Sequence, residues 1–183
     1  MDKLICHTRF DEATLCTGKQ RILRIPRLYY FALCILCFGT ATLYMIRDHW
    51  QFFQANKSQL LPVLGMYGLG AFYLWFSLTI VNRSVKRTLN QNEELWHARS
   101  WDITIRFTET EIVREAGVDS SKTNTTYSAV KRLIPYKNLI LLKTKSKLFL
   151  MIDRTRFENG TEDDFWRLMN EKCPNAVPQK HRR

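Results

Sequence analysis

Few of the residue types that do chemistry stand at spacings that could perform it. Cys34 and Cys37 form a C-x-x-C. At i and i+3 they share a helix face, but they lie in a run without a charged residue, where hydrocarbon disfavours a thiolate, so the pair reads as packing ahead of redox or metal chemistry. Cys6–His7 with Cys16 is the nearest approach to a metal set and reads as a plain N-terminal tract. His7, His49, His97 and His181 fall in separate segments, none at a ligand spacing with cysteines or carboxylates. An odd number of scattered cysteines, 5 in all, argues against a disulfide framework. No nucleophile elbow, phosphate-binding loop or dinucleotide fingerprint occurs. Glu162, Asp163 and Asp164 cluster, and the electrostatics of a helix start account for them. The expectation is a chain that is not an enzyme and uses no cofactor or metal.

One functional pattern is left. Between Asp119 and Asp153 there is no acidic residue, whereas Lys122, Lys131, Arg132, Lys137, Lys143, Lys145 and Lys147 are basic. Lys131, Arg132, Lys143, Lys145 and Lys147 are the candidate contacts for anionic lipid headgroups or an acidic protein partner. A base near an anionic leaflet gains about 1 kcal/mol. The competing reading is a set of solvated, aggregation-resistant strand edges. The whole chain carries a net charge of +11, from 28 Lys and Arg against 17 Asp and Glu. Such a balance suits nucleic acid, an anionic membrane or a cytoplasmic face. No basic recognition helix with interleaved stacking aromatics is present, so nucleic acid is not an expected partner.

The elements that would hold these residues are organised around two apolar segments, 28–46 and 60–81. Neither contains Asp, Glu, Lys, Arg or His. They are about 19 and 22 residues long, and about 20 cross a bilayer as a helix. The mean hydropathy of −0.27 averages over two regions of opposite character. The connection between them, with Trp50, Phe52 and Phe53, is short, polar and suited to the headgroup layer. It makes the helices antiparallel neighbours. Arg27, Tyr29, Tyr30 and Trp50 read as interfacial anchors. Gly65, Gly68 and Gly70 leave a face open to close helix approach, by a partner or a second copy. Lys19, Arg21, Arg24 and Arg27 precede the first span, and Arg83, Lys86 and Arg87 follow the second. The loop holds only Arg47 and Lys57. The expectation is a multi-pass protein of the inner cell membrane with both termini cytoplasmic.

Residues 1–27 form a basic N-terminal segment that does not read as a signal peptide, since the apolar run starts late. Leu4, Cys6, Thr8 and Phe10 alternate with Ile5, His7 and Arg9 as in a short strand. Asp11 stands as the N-cap of a helix to about Leu23, and Pro26 marks a break before the first span. Residues 82–100 continue the second helix as a stalk, with a break near Asn90–Asn92. From residue 101 to 173 the period becomes that of strands. Ile103, Ile105 and Phe107 alternate, Glu111–Glu115 follows, and Gly117 with Asp119 marks a turn. Lys122–Tyr127 suits an edge strand, and Val130–Ile134 is stopped by Pro135. Leu139–Leu142 and Leu148–Ile152 read as a hairpin. Thr161 with Asp164 caps a helix to about Lys172 that puts Phe165, Trp166, Leu168 and Met169 on one stripe. Residues 174–183 read as a disordered tail. The fold class is α+β: a two-helix transmembrane hairpin, then a curved antiparallel sheet capped by the C-terminal helix. The part from about Arg99 onward is expected to fold by itself.

The strand-turn-strand ITIRFTETEIV, the tract TYSAVKRLI, the hairpin NLILLKTKSKLFLMI, and DRTRF followed by TEDDFWRLM resemble the C-terminal domain of YcxB-like bacterial membrane proteins. The two spans behind a basic start agree with that family's layout. The chain departs from the pattern at Ala129, where the family often has Trp, and at Asp153, where Pro is common. The resemblance implies a pleckstrin-homology-like sheet and carries over no catalytic residue. The expected function is a membrane-anchored cytoplasmic interaction module. The alternative is an accessory or regulatory subunit of a transporter, envelope-stress or immunity system.

Overall fold

Strand β1 (Leu4–Phe10) buries every second residue, as its alternation predicts. The partner strand lies about ninety residues further on. β1 pairs antiparallel with β2 (Trp101–Phe107) along its whole length, from Leu4 opposite Phe107 to Phe10 opposite Trp101. β2 pairs with β3 (Glu111–Ala116), and β3 with β4 (Lys122–Thr126). A second antiparallel sheet follows, β5 (Val130–Tyr136), β6 (Leu139–Thr144) and β7 (Phe149–Asp153), in that order. The structure, a computed structural model, describes residues 4–47, 57–116 and 122–181. The expected turn at Gly117–Asp119 and the aromatic loop with Trp50 lie outside the described residues. The chain divides into two units, Met1–Arg21 with Val85–Arg183, and Ile22–Ser84.

The first unit is α+β. β1 joins its two sheets. On its other side the His7 amide donates to the Arg156 carbonyl, and the Glu158 amide to the Ile5 carbonyl, each at 2.9 Å. The Asp153 amide donates to the buried Thr8 hydroxyl at 3.1 Å. The N-terminal segment is therefore a strand of the β-unit. Residues up to Arg21 belong to this unit, where 1–27 was expected as a segment of its own. The reason is physical: without β1, the inner faces of β2 and β7 would meet water.

Helix α1 (Glu12–Ile22) starts where Asp11 predicts, with the Asp11 carboxylate accepting from the Thr14 amide at 2.8 Å. That bond is the leading cause of its lowered pKa. α1 lies on the outer face of the second sheet, where a Cβ on Gly18 would sit 2.5 Å from the Met151 sulfur. This cover explains why Leu139, Ile140, Leu141 and Leu142 are all buried. Ile140 and Leu142 oppose Ile152 and Leu150, whereas Leu141 opposes Met151 under α1. A strand covered on both faces reads as a continuous apolar run. β5 runs on through Pro135 to Tyr136. Among the described residues it pairs only with β6, and an edge strand tolerates a residue without an N–H.

Helix α4 closes the core. It comes after two long helices, α2 (Arg24–Arg47) and α3 (Lys57–Trp96), and runs Glu162–Lys172 behind a capping box in which Thr161 and Asp164 satisfy each other's amides. Its stripe buries Phe165, Trp166, Leu168 and Met169. Phe165 is fully buried against Phe107 and Phe157, at ring separations of 5.5 and 5.9 Å. The 3-10 turns Pro174–Ala176 and Gln179–His181 follow. Ala176 and Val177 are buried, and His181 stacks on Trp166 at 4.1 Å. The residues to His181 thus pack, and the expected disordered tail is corrected over that stretch.

Helices α2 (Arg24–Arg47) and α3 (Lys57–Trp96) are long and apolar enough to cross a membrane. α2 begins two residues before Pro26, which sits in its first turn, where a missing N–H costs nothing. α3 does not break at Asn90–Asn92, and Asn92 is buried. Within the second unit the helices are antiparallel. Tyr30 meets Phe76, Phe38 meets Tyr67 and Ala41 packs with Val63, so early residues of one match late residues of the other. Gly70 admits the Phe38 ring, which a Cβ there would approach to 3.0 Å. The outer faces are apolar: Leu28, Ile35, Leu36, Leu43, Leu64 and Leu78 are all exposed.

Burial sets the reactivity of the thiols in the β-unit. It pushes Cys6 up to about 12 and Cys173 to about 11. At about pH 8 the Cys6 thiolate is then roughly a thousandfold scarcer than that of a free cysteine. Iodoacetamide is expected to leave Cys6 and Cys173 unmodified in the folded chain and to reach them only in denaturant. Mass spectrometry of the alkylated chain checks this. Cys6 reacting as fast as half-buried Cys16 would contradict it.

Candidate functional site

The second sheet collects the basic residues. Alternation along β5 turns Leu133 inward and leaves Lys131 and Arg132 exposed. The register is irregular between Val130 and Arg132, which lets both bases face outward. Arg132 lies directly opposite Lys143, and Lys143 directly opposite Phe149, with its ammonium 5.5 Å from the ring centre. These residues share the outer face with Leu141 and Met151, one step further along the strands than the part beneath Gly18.

The turn 145–148 is built by the buried Thr144. Its hydroxyl accepts from the Leu148 amide at 3.1 Å and lies 2.8 Å from the Ser146 hydroxyl. The Lys147 amide donates to the Thr144 carbonyl at 3.1 Å. Lys147 takes a φ of 65°, uncommon for a side chain with a Cβ. The Lys145 amide donates to the Ala129 carbonyl at 2.8 Å, fixing the turn to the start of β5. The result is a tip with Lys145, Ser146, Lys147 and Leu148 all exposed. The structure thus brings together all five of Lys131, Arg132, Lys143, Lys145 and Lys147 around one end of this sheet. Among the described residues none of the five is in an ion pair, while Arg106, Lys122, Arg154 and Arg167 are each paired with a carboxylate. Burial disfavours the charged form of Glu162, but hydrogen bonds from Arg154 and Trp166 outweigh it and hold its pKa low.

Of the expected anchors, Arg27 and Tyr30 turn towards α3. The Arg27 guanidinium donates to the Ser77 carbonyl at 3.2 Å, and the Ser77 hydroxyl returns a bond to the Arg27 carbonyl at 3.1 Å. Tyr30 packs on Tyr73 and Phe76. Tyr29 faces outward, and Trp50 lies outside the described residues. The glycine face is divided between two roles. Gly70 is filled by Phe38, whereas Gly39, Gly65 and Gly68 have open space where a Cβ would be. Cys34 is buried and Cys37 half-buried in the helix pair, both as free thiols.

Sequence reasoning missed a second basic cluster. The Arg21 guanidinium lies 5.9 Å from the Tyr136 ring centre, and Lys137 lies 5.7 Å from it. Nothing in the spacing of residues so far apart reveals the cluster, because α1 must first dock on the sheet. Elsewhere Trp166, Arg167, Asn170 and His181 border a cavity of about 290 Å³, open between α4 and the last 3-10 turn. Of its charged residues, Arg167 is paired with Asp164. Among the described residues no three His, Cys, Asp or Glu side chains could hold a metal ion. The arrangement is suited to binding through charge. Comparison with protein-family models, with curated proteins and with solved structures finds no match for the chain.

Proposed function

We propose that the chain is a membrane-anchored interaction module whose two apolar helices cross the inner membrane and whose β-unit, with both termini, lies in the cytoplasm. The observation that carries this reading is the β1–β2 ladder, seven residues paired across the inserted helices. A bilayer cannot pass through a hydrogen-bonded ladder, so the parts of the chain before and after the helices belong on one side. The excess of Lys and Arg beside the helix ends favours the cytoplasmic side. The exposed apolar faces of α2 and α3 support lipid as their solvent, since contiguous apolar surface of that kind is rare in water. Four antiparallel strands, three more and a closing helix support reading the β-unit as pleckstrin-homology-like, with the helix pair between its first two strands. We read the module as non-catalytic, binding a partner through the basic end of its second sheet.

The open positions at Gly39, Gly65 and Gly68 favour a second reading, an accessory or regulatory subunit packed on a larger membrane protein, or a homo-oligomer through the same face. A stoichiometric multispan partner in a detergent pull-down would support it. The main reading is tested on membranes. The chain is expected to stay in the pellet after an alkaline carbonate wash. Protease added outside intact cells is expected to spare the C-terminal part. Release by carbonate, or clipping from outside, would overturn the reading.

A further inference from the structure

We propose that the β6–β7 turn is a docking site for an acidic segment of a protein partner, held by the surrounding bases and anchored by an apolar side chain against Leu148. This deepens the interaction-module reading and rests on it. Three observations carry the proposal. The first is uncompensated charge. Arg132 and Lys143 oppose each other directly, and like charges in that position destabilise a sheet. No carboxylate of the described chain pairs with either. Acidic side chains laid across them would offset that repulsion, and Lys131, Lys145 and Lys147 would flank the same segment. The second is Leu148, 62% exposed, while its strand neighbours Leu150 and Ile152 are buried. It stands on a turn already ordered by Thr144, so little conformational freedom remains to be lost on binding.

The third observation is position within the β-unit. The chain leaves the β-unit at Arg21 and re-enters it at Val85. Arg21 lies against Tyr136, at the far end of β5, and Lys86 shares a cleft with Arg9 and Asp11, at the Phe10 end of β1. The turn lies at the opposite ends of these strands. Lys145 is bonded to Ala129, and neighbouring Tyr127 donates to the Thr108 carbonyl just beyond β2. A strand such as β6 is about 20 Å long. The basic tip is thus about a strand length from Arg21 and from Lys86 within the β-unit, at the end where the chain neither leaves nor re-enters it.

The test uses the full chain in phosphatidylcholine nanodiscs and a short fluorescent peptide of Glu with interspersed Leu. Its counterpart with Ser in place of Leu is the control. Binding of the Leu peptide is expected, falling as salt is raised. Lys143→Glu, Lys145→Glu and Lys147→Glu together are expected to weaken it by about tenfold or more, at an unfolding midpoint no lower than that of the unaltered chain. Leu148→Ser is expected to weaken binding of the Leu peptide severalfold and to leave the Ser peptide unaffected. No binding, or equal binding by the triple variant, overturns the proposal. In nanodiscs containing phosphatidylglycerol, acetylation of Lys145 and Lys147 is expected to proceed as in phosphatidylcholine. Protection by phosphatidylglycerol would make the leaflet the occupant and also overturn it. Failure of the chain to enter nanodiscs would instead count against membrane anchoring, and peptide binding in detergent would still report on the turn.

Discussion

Residues from Arg99 onward, produced alone, are expected to stay without a native fold. This fragment lacks β1, which places Leu4, Cys6, Thr8 and Phe10 in the core at 2%, 0%, 0% and 9% exposure. Burial of side chains the size of Leu4 and Phe10 is worth about 1.5–3 kcal/mol each. The ladder to β2 and the bonds to Asp153, Arg156 and Glu158 go with them. The fragment also lacks α1, leaving Leu141 and Met151 bare on the outer face. A small domain has only about 5–15 kcal/mol of stability, and these losses together take a large share of it. Joining Met1–Arg21 to Val85–Arg183 through about twenty Gly and Ser residues restores every one of these groups and is expected to yield a folded, soluble protein. Amide dispersion and a cooperative melt distinguish the two. A fragment from Arg99 that melts cooperatively without β1 would refute the role assigned to that strand.

Phe165→Ala is expected to be the most damaging single substitution in the β-unit. The ring is fully buried between α4 and the first sheet, edge-on to Phe107 and Trp166 and tilted against Phe157. Truncating a buried Phe to Ala costs about 3–5 kcal/mol. For a unit of this size that lowers the melting midpoint by roughly 10–20 °C. Arg167→Ala, two residues along the same helix, removes an exposed ion pair to Asp164 and is expected to change stability by about 0.5 kcal/mol or less. Near-ultraviolet circular dichroism of the purified full chain, followed on heating, reads both. A shift for Phe165→Ala no larger than for Arg167→Ala would mean that α4 does not close the core.

The elements themselves were legible in the residues, because short-range physics makes them. Alternation marked β1 and β2, the Thr161–Asp164 box marked α4, and charge-free runs marked the apolar pair. The five bases were legible as a set, since no acid separates Asp119 from Asp153. Pro135 misled, because whether a proline ends a strand depends on whether its N–H side has a neighbour, and among the described residues β5 has none there. The tail misled for a related reason: its polar residues are plain, but Ala176 and Val177 find cover against the fold.

Taken by itself, the amino-acid sequence determined the two long apolar helices, the strand periods, the helix caps and the clustering of positive charge in one stretch. Those features depend on residues within a few positions of each other. Only the tertiary structure decided that β1 belongs with β2, that α1 roofs the second sheet, that Gly70 is filled while Gly65 is open, and that Arg132 faces Lys143. Each of these joins residues that approach only after the chain has closed on itself. Local propensity carries no record of such contacts, because their energy comes from the surface removed from water when distant segments meet.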